Sequence, residues 1–90
     1  MRVALICKDK PGHLQTRLDN RAAHLAHIEA SGVVEMAGPF LSPEGQMTGS
    51  LVVLNVDDLK AAQEWAAADP YAKAGLFESV TISEWKKVIG

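Results

Sequence analysis

Cysteine is nearly absent: Cys7 is the only one in 90 residues. No intrachain disulfide can form, which suits a reducing compartment and sets the expectation of a cytoplasmic protein. Charge of one sign is lacking too, since nine Lys and Arg stand against eleven Asp and Glu for a formal net charge of −2. Such a balance exerts no general pull on phosphate backbones, and nucleic acid is not expected as a partner. Long apolar runs are missing. After Arg2 only the five residues Val3-Ala4-Leu5-Ile6-Cys7 precede Lys8-Asp9-Lys10, too few for a signal-peptide core or a spanning helix, so membrane insertion by that route is not expected. There is no Gly-rich phosphate loop, no HExxH and no paired-cysteine motif, and the expectation is of no nucleotide cofactor and no metal.

What is present is globular. Apolar residues make up 48% of the chain and charged residues 22%, enough to fold and too little polarity for disorder. Residues 1–90 are expected to form one domain, with no repeat, linker or low-complexity segment. A domain of this size buries only roughly 60–65% of its unfolded surface, so a second copy of the chain would add useful stability.

Val3–Cys7 has the length of a strand and is closed by Lys-Asp-Lys-Pro-Gly; its continuous apolar character reads as buried on both faces. From about Leu14 to Ser31, Leu14, Leu18, Ala22, Leu25 and Ile28 recur at helical spacing, and Gly32 supplies a C-terminal stop. Val33–Ala37 reads as a strand ending at Gly38-Pro39, and Ser42-Pro43-Glu44-Gly45 is turn chemistry. Ser50–Val56 is the strongest strand signal, followed by Asp57 or Asp58 as the cap of a helix from Leu59 to about Ala68. Asp69-Pro70 interrupts that helix, Tyr71–Gly75 forms a short turn or helix, and Leu76–Trp85 is the last strand.

The order strand, helix, strand, strand, helix, strand predicts an α+β fold. It is the ferredoxin-like βαββαβ arrangement, a four-stranded antiparallel sheet with two right-handed crossovers. Two helices cover one face. The other face would expose apolar side chains, and two copies packed sheet to sheet would bury it. Trp65 and Trp85 are expected as core or interface anchors.

Few side chains are placed for chemistry. His13, Arg17, Arg21 and His24 follow one another at spacings of four, four and three, a basic stripe beside the apolar one whose plain alternative is a solvated face. Asp69 sits where a helix gives way to a proline turn, where a carboxylate also serves simply as a cap. The topology makes the two helices neighbours, so His24 and Asp69 can meet. A carboxylate holding one ring nitrogen fixes the tautomer and frees the other nitrogen as a general base near neutral pH. Arg21, one turn earlier, has the planar fork to bind a carboxylate or enolate oxygen. Gly49 and Ser50 can shape a pocket or merely make a turn. His27 lies three residues after His24, yet nothing completes a metal set. Cys7 is expected to pack in the core rather than act as a nucleophile.

Arg21-x-x-His24 on the first helix, Gly38-Pro39, Gly49-Ser50, Asp69-Pro70-Tyr71, Gly75-Leu76 and the final Trp85, in that order, resemble the YciI-like (YCII-related) family over nearly the whole chain. The resemblance implies a dimeric ferredoxin-like α+β barrel related in fold to muconolactone isomerases, with a recurring His and Asp proposed as a catalytic pair. Those map onto His24 and Asp69, with Arg21, Ser50 and Tyr71 as substrate-binding candidates. Some members of the family eliminate chloride in the breakdown of chlorinated aromatics.

Two functions fit. One is a cofactor-independent lyase, isomerase or dehydrochlorinase in which His24 moves a proton, Asp69 orients it and Arg21 steadies the anion. The other is a non-catalytic dimer that binds a small ligand in the same pocket or serves as an accessory or regulatory module.

Overall fold

The computed structural model describes residues 1–90. It contains β1 (Arg2–Asp9), α1 (Leu14–Ser31), β2 (Val34–Leu41), β3 (Met47–Asn55), α2 (Leu59–Ala68), α3 (Pro70–Lys73) and β4 (Phe77–Glu84). The strands form one antiparallel sheet in the order β2-β3-β1-β4. The first helical crossover therefore passes over the position that β3 later fills, and the second passes over β1, which is the ferredoxin-like layout.

The local chemistry explains the boundaries. Helix α1 stops at Gly32, whose φ of 67° lies in the left-handed region where an L side chain is strained. Helix α2 starts at Asp58, whose carboxylate accepts from the Ala61 amide at 2.8 Å. It stops at Asp69 because that residue precedes Pro70 and takes an extended conformation, φ −61° and ψ 125°. Pro70 then opens α3 at the position where its missing N–H costs nothing.

Strand β2 runs through Gly38-Pro39 to Leu41 rather than ending there. It is an edge strand, where a sheet tolerates proline because no neighbour needs the missing N–H. Gly49 lies inside β3, opposite Lys8, and is not a turn residue. A Cβ at this position would collide with the Cys7 carbonyl oxygen, so glycine here lets β3 close on β1 and fixes where the next residue, Ser50, projects.

The core lies between the sheet and the helices. Val3, Leu5 and Cys7 of β1 face Leu54, Val52 and Ser50 of β3 on one side, and Ala62 and Trp65 of α2 pack against them. The opposite face carries Ile6, Leu51, Met36 and Phe40. Ile6 is 47% exposed, so β1 is buried on one face and only in part on the other, where no helix covers it.

Helix α1 departs most from the expected packing. Its apolar residues Leu18 and Leu25 are 46% and 49% exposed, whereas Arg17 and His24 are 3% and 6% exposed. Two members of the polar stripe, Arg17 and His24, are turned toward the sheet, while of the apolar stripe Ile28 packs against the core and Leu18 and Leu25 do not. Burying an arginine is costly unless its charge is paired and its N–H groups are bonded. What makes it tolerable here is that Asp9 and Ser50 accept its hydrogen bonds.

Candidate active site

Between α1 and the β2–β3 half of the sheet is a cavity of about 160 Å³. Arg17, Arg21 and His24 enter it from α1, Ser50 from β3 and Tyr71 from α3, while Leu25, Pro39 and Val52 contribute apolar wall.

His24 Nδ1 lies 2.8 Å from Asp69 Oδ1. An ionised carboxylate has only lone pairs to offer, so Nδ1 carries the proton and donates it. The same Oδ1 accepts the Tyr71 amide at 3.0 Å, and Asp69 is only 2% exposed. Cap and histidine partner are thus one atom, and the turn that ends α2 sets the orientation of the imidazole. The Tyr71 ring stacks on it, with centroids 3.9 Å apart and planes 12° from parallel. Nε2 makes no hydrogen bond within the protein, and no fully buried side-chain nitrogen in the chain lacks a partner. This lone pair therefore opens onto the cavity.

Arg17 sits two helical turns before His24 on the same face of α1. Its Nε and Nη2 donate to Asp9 Oδ2 and Oδ1 at 2.7 and 2.8 Å, and Nη2 also donates to Ser50 Oγ at 2.9 Å. Its guanidinium carbon is 4.7 Å from the Tyr71 ring centroid. Burial works against the Arg17 charge, but the paired hydrogen bonds and the charge of Asp9 outweigh it and hold the guanidinium above its ordinary range. Burial pushes the Tyr71 phenol up, more than Arg17 and Arg21 pull it down, so at neutral pH the hydroxyl keeps its proton and can donate. Cys7, across the sheet from Ser50, is pushed up to about 12 by burial first and by the Asp69 charge second, with Arg17 pulling the other way.

That shift has a measurable consequence. The unfolded thiol titrates near its ordinary value of 9.0 and the folded one near 12, so between those limits the unfolded chain sheds a proton that the folded chain keeps. Stability is whole below about pH 9 and falls as pH rises toward 12, by roughly 1.4 kcal/mol per pH unit once the unfolded thiol has ionised. Urea unfolding at pH 9 and 10.5 should show wild type losing about 1–2 kcal/mol more than Cys7→Ala. Parallel losses in the two proteins would mean that the thiol is not perturbed.

Of the residues expected at the site, His24, Asp69, Ser50 and Tyr71 come together as buried neighbours. Arg21 lines the cavity but is exposed and forms no ion pair. His13 remains outside, bonded to the Pro11 carbonyl, and His27 turns away to the Trp65 carbonyl at 3.1 Å and the Trp65 ring. No group of three or more His, Cys, Asp or Glu gathers where a metal could be held. Arg17 was read only as one member of the basic stripe, with no role of its own, and Asp9 was passed over. The only signal was the spacing of seven between Arg17 and His24, which places both on one line of α1.

A four-stranded ferredoxin-like sheet carrying a buried histidine–carboxylate pair at the wall of a small cavity is the frame of a small-molecule site. The chain matches the model of the YCII-related domain over residues 1–86. It is 37% identical over 97 aligned positions to protein YciI of Escherichia coli O6:H1, covering 98% of this chain and 99% of that protein. An uncharacterized protein of Haemophilus influenzae is 35% identical with the same coverage. The chain belongs to the YCII-related domain family. Among solved structures, the 5-chloro-2-hydroxyhydroquinone dehydrochlorinase of Burkholderia phenoliruptrix, in complex with 2,5-dihydroxybenzoquinone, superposes with a TM-score of 0.89. It is 35% identical, covering 96% of this chain and 94% of that one. A structure titled antibiotic biosynthesis monooxygenase shares the fold alone, with a TM-score of 0.61 at 11% identity, covering 98% of each chain. No helix is long and apolar enough to cross a membrane.

Proposed function

We propose that this chain is a cofactor-independent enzyme that removes hydrogen chloride from, or isomerises, a small hydroxylated ring compound by general acid–base chemistry. The observation that carries this reading is the His24–Asp69 bond of 2.8 Å, with the free Nε2 facing a cavity of about 160 Å³, room for one ring and its oxygens. A base needs that geometry before it needs a tuned acidity.

The steps balance without an external oxidant. Nε2 takes a proton from a ring hydroxyl and the electron pair on oxygen becomes a carbonyl. The chlorine-bearing carbon takes up a proton as the ring rearranges to a chloroketone. Loss of a second hydroxyl proton then forms another carbonyl as chloride leaves with its electron pair. The net loss is one HCl. Asp69 holds Nδ1 and offsets the positive charge of the imidazolium formed in between, and Arg21 at the rim draws anionic substrates inward. The dehydrochlorinase named above, 35% identical over 96% of this chain, supports this class of reaction.

The test is anaerobic incubation with 5-chloro-2-hydroxyhydroquinone and measurement of released chloride. We expect one chloride per substrate from wild type, and rate loss with substitution at His24. Binding of 2,5-dihydroxybenzoquinone without chloride release would make the chain a ligand-binding module.

The working form is a homodimer. Ile6, Met36 and Phe40 are large apolar side chains left exposed on the face of the sheet that no helix covers, and a second copy packed there removes them from water. Light scattering at micromolar concentration should give twice the 9.7 kDa chain mass. A monomer mass would rule this assembly out.

A further inference from the structure

We infer that Arg17 and Ser50, rather than the exposed Arg21, form the subsite that binds and stabilises an oxyanion of the substrate. This rests on the function proposed above and assigns the atoms that face the base.

Arg17 has five N–H groups, and its three hydrogen bonds leave from Nε and Nη2 only. Nη1 takes no part in them, and because no fully buried side-chain nitrogen is without a partner, it reaches the cavity that Arg17 lines, beside the Tyr71 hydroxyl. The residue is nevertheless 3% exposed. Asp9 grips the other edge of the guanidinium at two points, so the fork is oriented before any ligand arrives. A side chain held in this way loses little freedom when it binds, whereas Arg21 must be immobilised from solvent.

Ser50 completes the pair. Its Oγ accepts from Arg17 Nη2 at 2.9 Å and donates to nothing in the protein, so its hydrogen is free for the cavity and is polarised by the cation behind it. The Tyr71 hydroxyl, which keeps its proton, is a third donor near the same guanidinium. Against these donors stands one acceptor, His24 Nε2. A ligand that satisfies the wall presents an anionic oxygen to Arg17 and Ser50 and a hydroxyl to His24. That pattern selects hydroxyquinones, catecholates and enediols, in which two oxygens sit on neighbouring or conjugated carbons. The Asp9 charge is consumed in holding Arg17, so the net character of the subsite comes from hydrogen bonds aimed by a neutralised pair, and its effect persists in salt.

The experiment compares wild type with Arg17→Lys, Ser50→Ala and Arg21→Ala at 0.15 M salt, titrating each with two probes. 2,5-Dihydroxybenzoquinone is anionic at neutral pH and hydroquinone is not. Ser50→Ala removes one donor and leaves the Arg17–Asp9 pair in place. It should weaken the anion about tenfold and hydroquinone less than threefold. Arg17→Lys, which keeps the charge but loses the fork, should weaken the anion by about ten- to a hundredfold, and Arg21→Ala by less than threefold. A structural disturbance would weaken both probes together, and unfolding midpoints of each variant separate that case. If Arg21→Ala produces the large loss and Ser50→Ala none, the assignment is overturned. If wild type binds neither probe, the proposed function falls and the subsite with it.

Discussion

His24→Asn should lower the rate of chloride release by about 10²- to 10⁴-fold, the usual worth of a positioned general base, with little change in the unfolding midpoint. Asparagine places its side-chain N–H where His24 Nδ1 stands, 2.8 Å from Asp69 Oδ1, so the buried carboxylate keeps a donor. The atom lost is Nε2. His24→Ala removes the donor as well and leaves a 2% exposed carboxylate held only by the Tyr71 amide. That variant should lose similar activity and about 1–3 kcal/mol of stability besides. Stopped assays give the first effect and urea unfolding the second. Full turnover by His24→Asn would show that no proton passes through the ring. Equal stability of the two variants would show that the Asp69 bond contributes nothing to the fold.

Much of the fold was legible because it follows from local chemistry. Gly32 needs a left-handed backbone, Asp58 caps α2, and Asp69-Pro70 ends it. Each is decided within a few residues of chain. The site was legible for the same reason on one side only. Asp69 stood out at its proline, and helical spacing put His24 on a helix adjacent to it. Arg17 did not stand out, because what buries it is Asp9 at the end of β1 and Ser50, 33 positions away on β3. No periodicity in α1 reports such partners. A count of apolar residues favours Leu14, Leu18 and Leu25 as the packed face. Once Arg17 and His24 each have a carboxylate waiting, the helix rolls to bury them and those leucines remain exposed.

Pro39 in β2 is a similar case. Proline looks like the end of a strand when edge and centre cannot be told apart, and sheet order, which decides between them, is a tertiary property. The same holds for Gly49, whose necessity comes from the Cys7 carbonyl across the sheet.

Asp69 offers the sharpest separation of charge from geometry, because Oδ1 alone accepts both the His24 ring and the Tyr71 amide. In Asp69→Asn a carbonyl oxygen can occupy that position and keep both bonds while the negative charge is gone. The unfolding midpoint should stay close to wild type. Turnover should fall by about a hundredfold, because the imidazolium formed when Nε2 takes a proton no longer has a counter-charge in a low-dielectric site. Asp69→Ala loses both bonds. It should be destabilised by about 2–4 kcal/mol, the sum of a cap and a charge-assisted hydrogen bond, and its histidine, free to choose its tautomer, should be inactive. Histidine ¹⁵N spectra check the cause: the proton should reside on Nδ1 in wild type and divide between the two nitrogens in Asp69→Ala. If Asp69→Asn turns over as fast as wild type, orientation alone is used and the carboxylate charge has no part in the reaction. If Asp69→Ala unfolds with wild type, the junction of α2 and α3 is held by Pro70 and packing, and Asp69 belongs to the chemistry only.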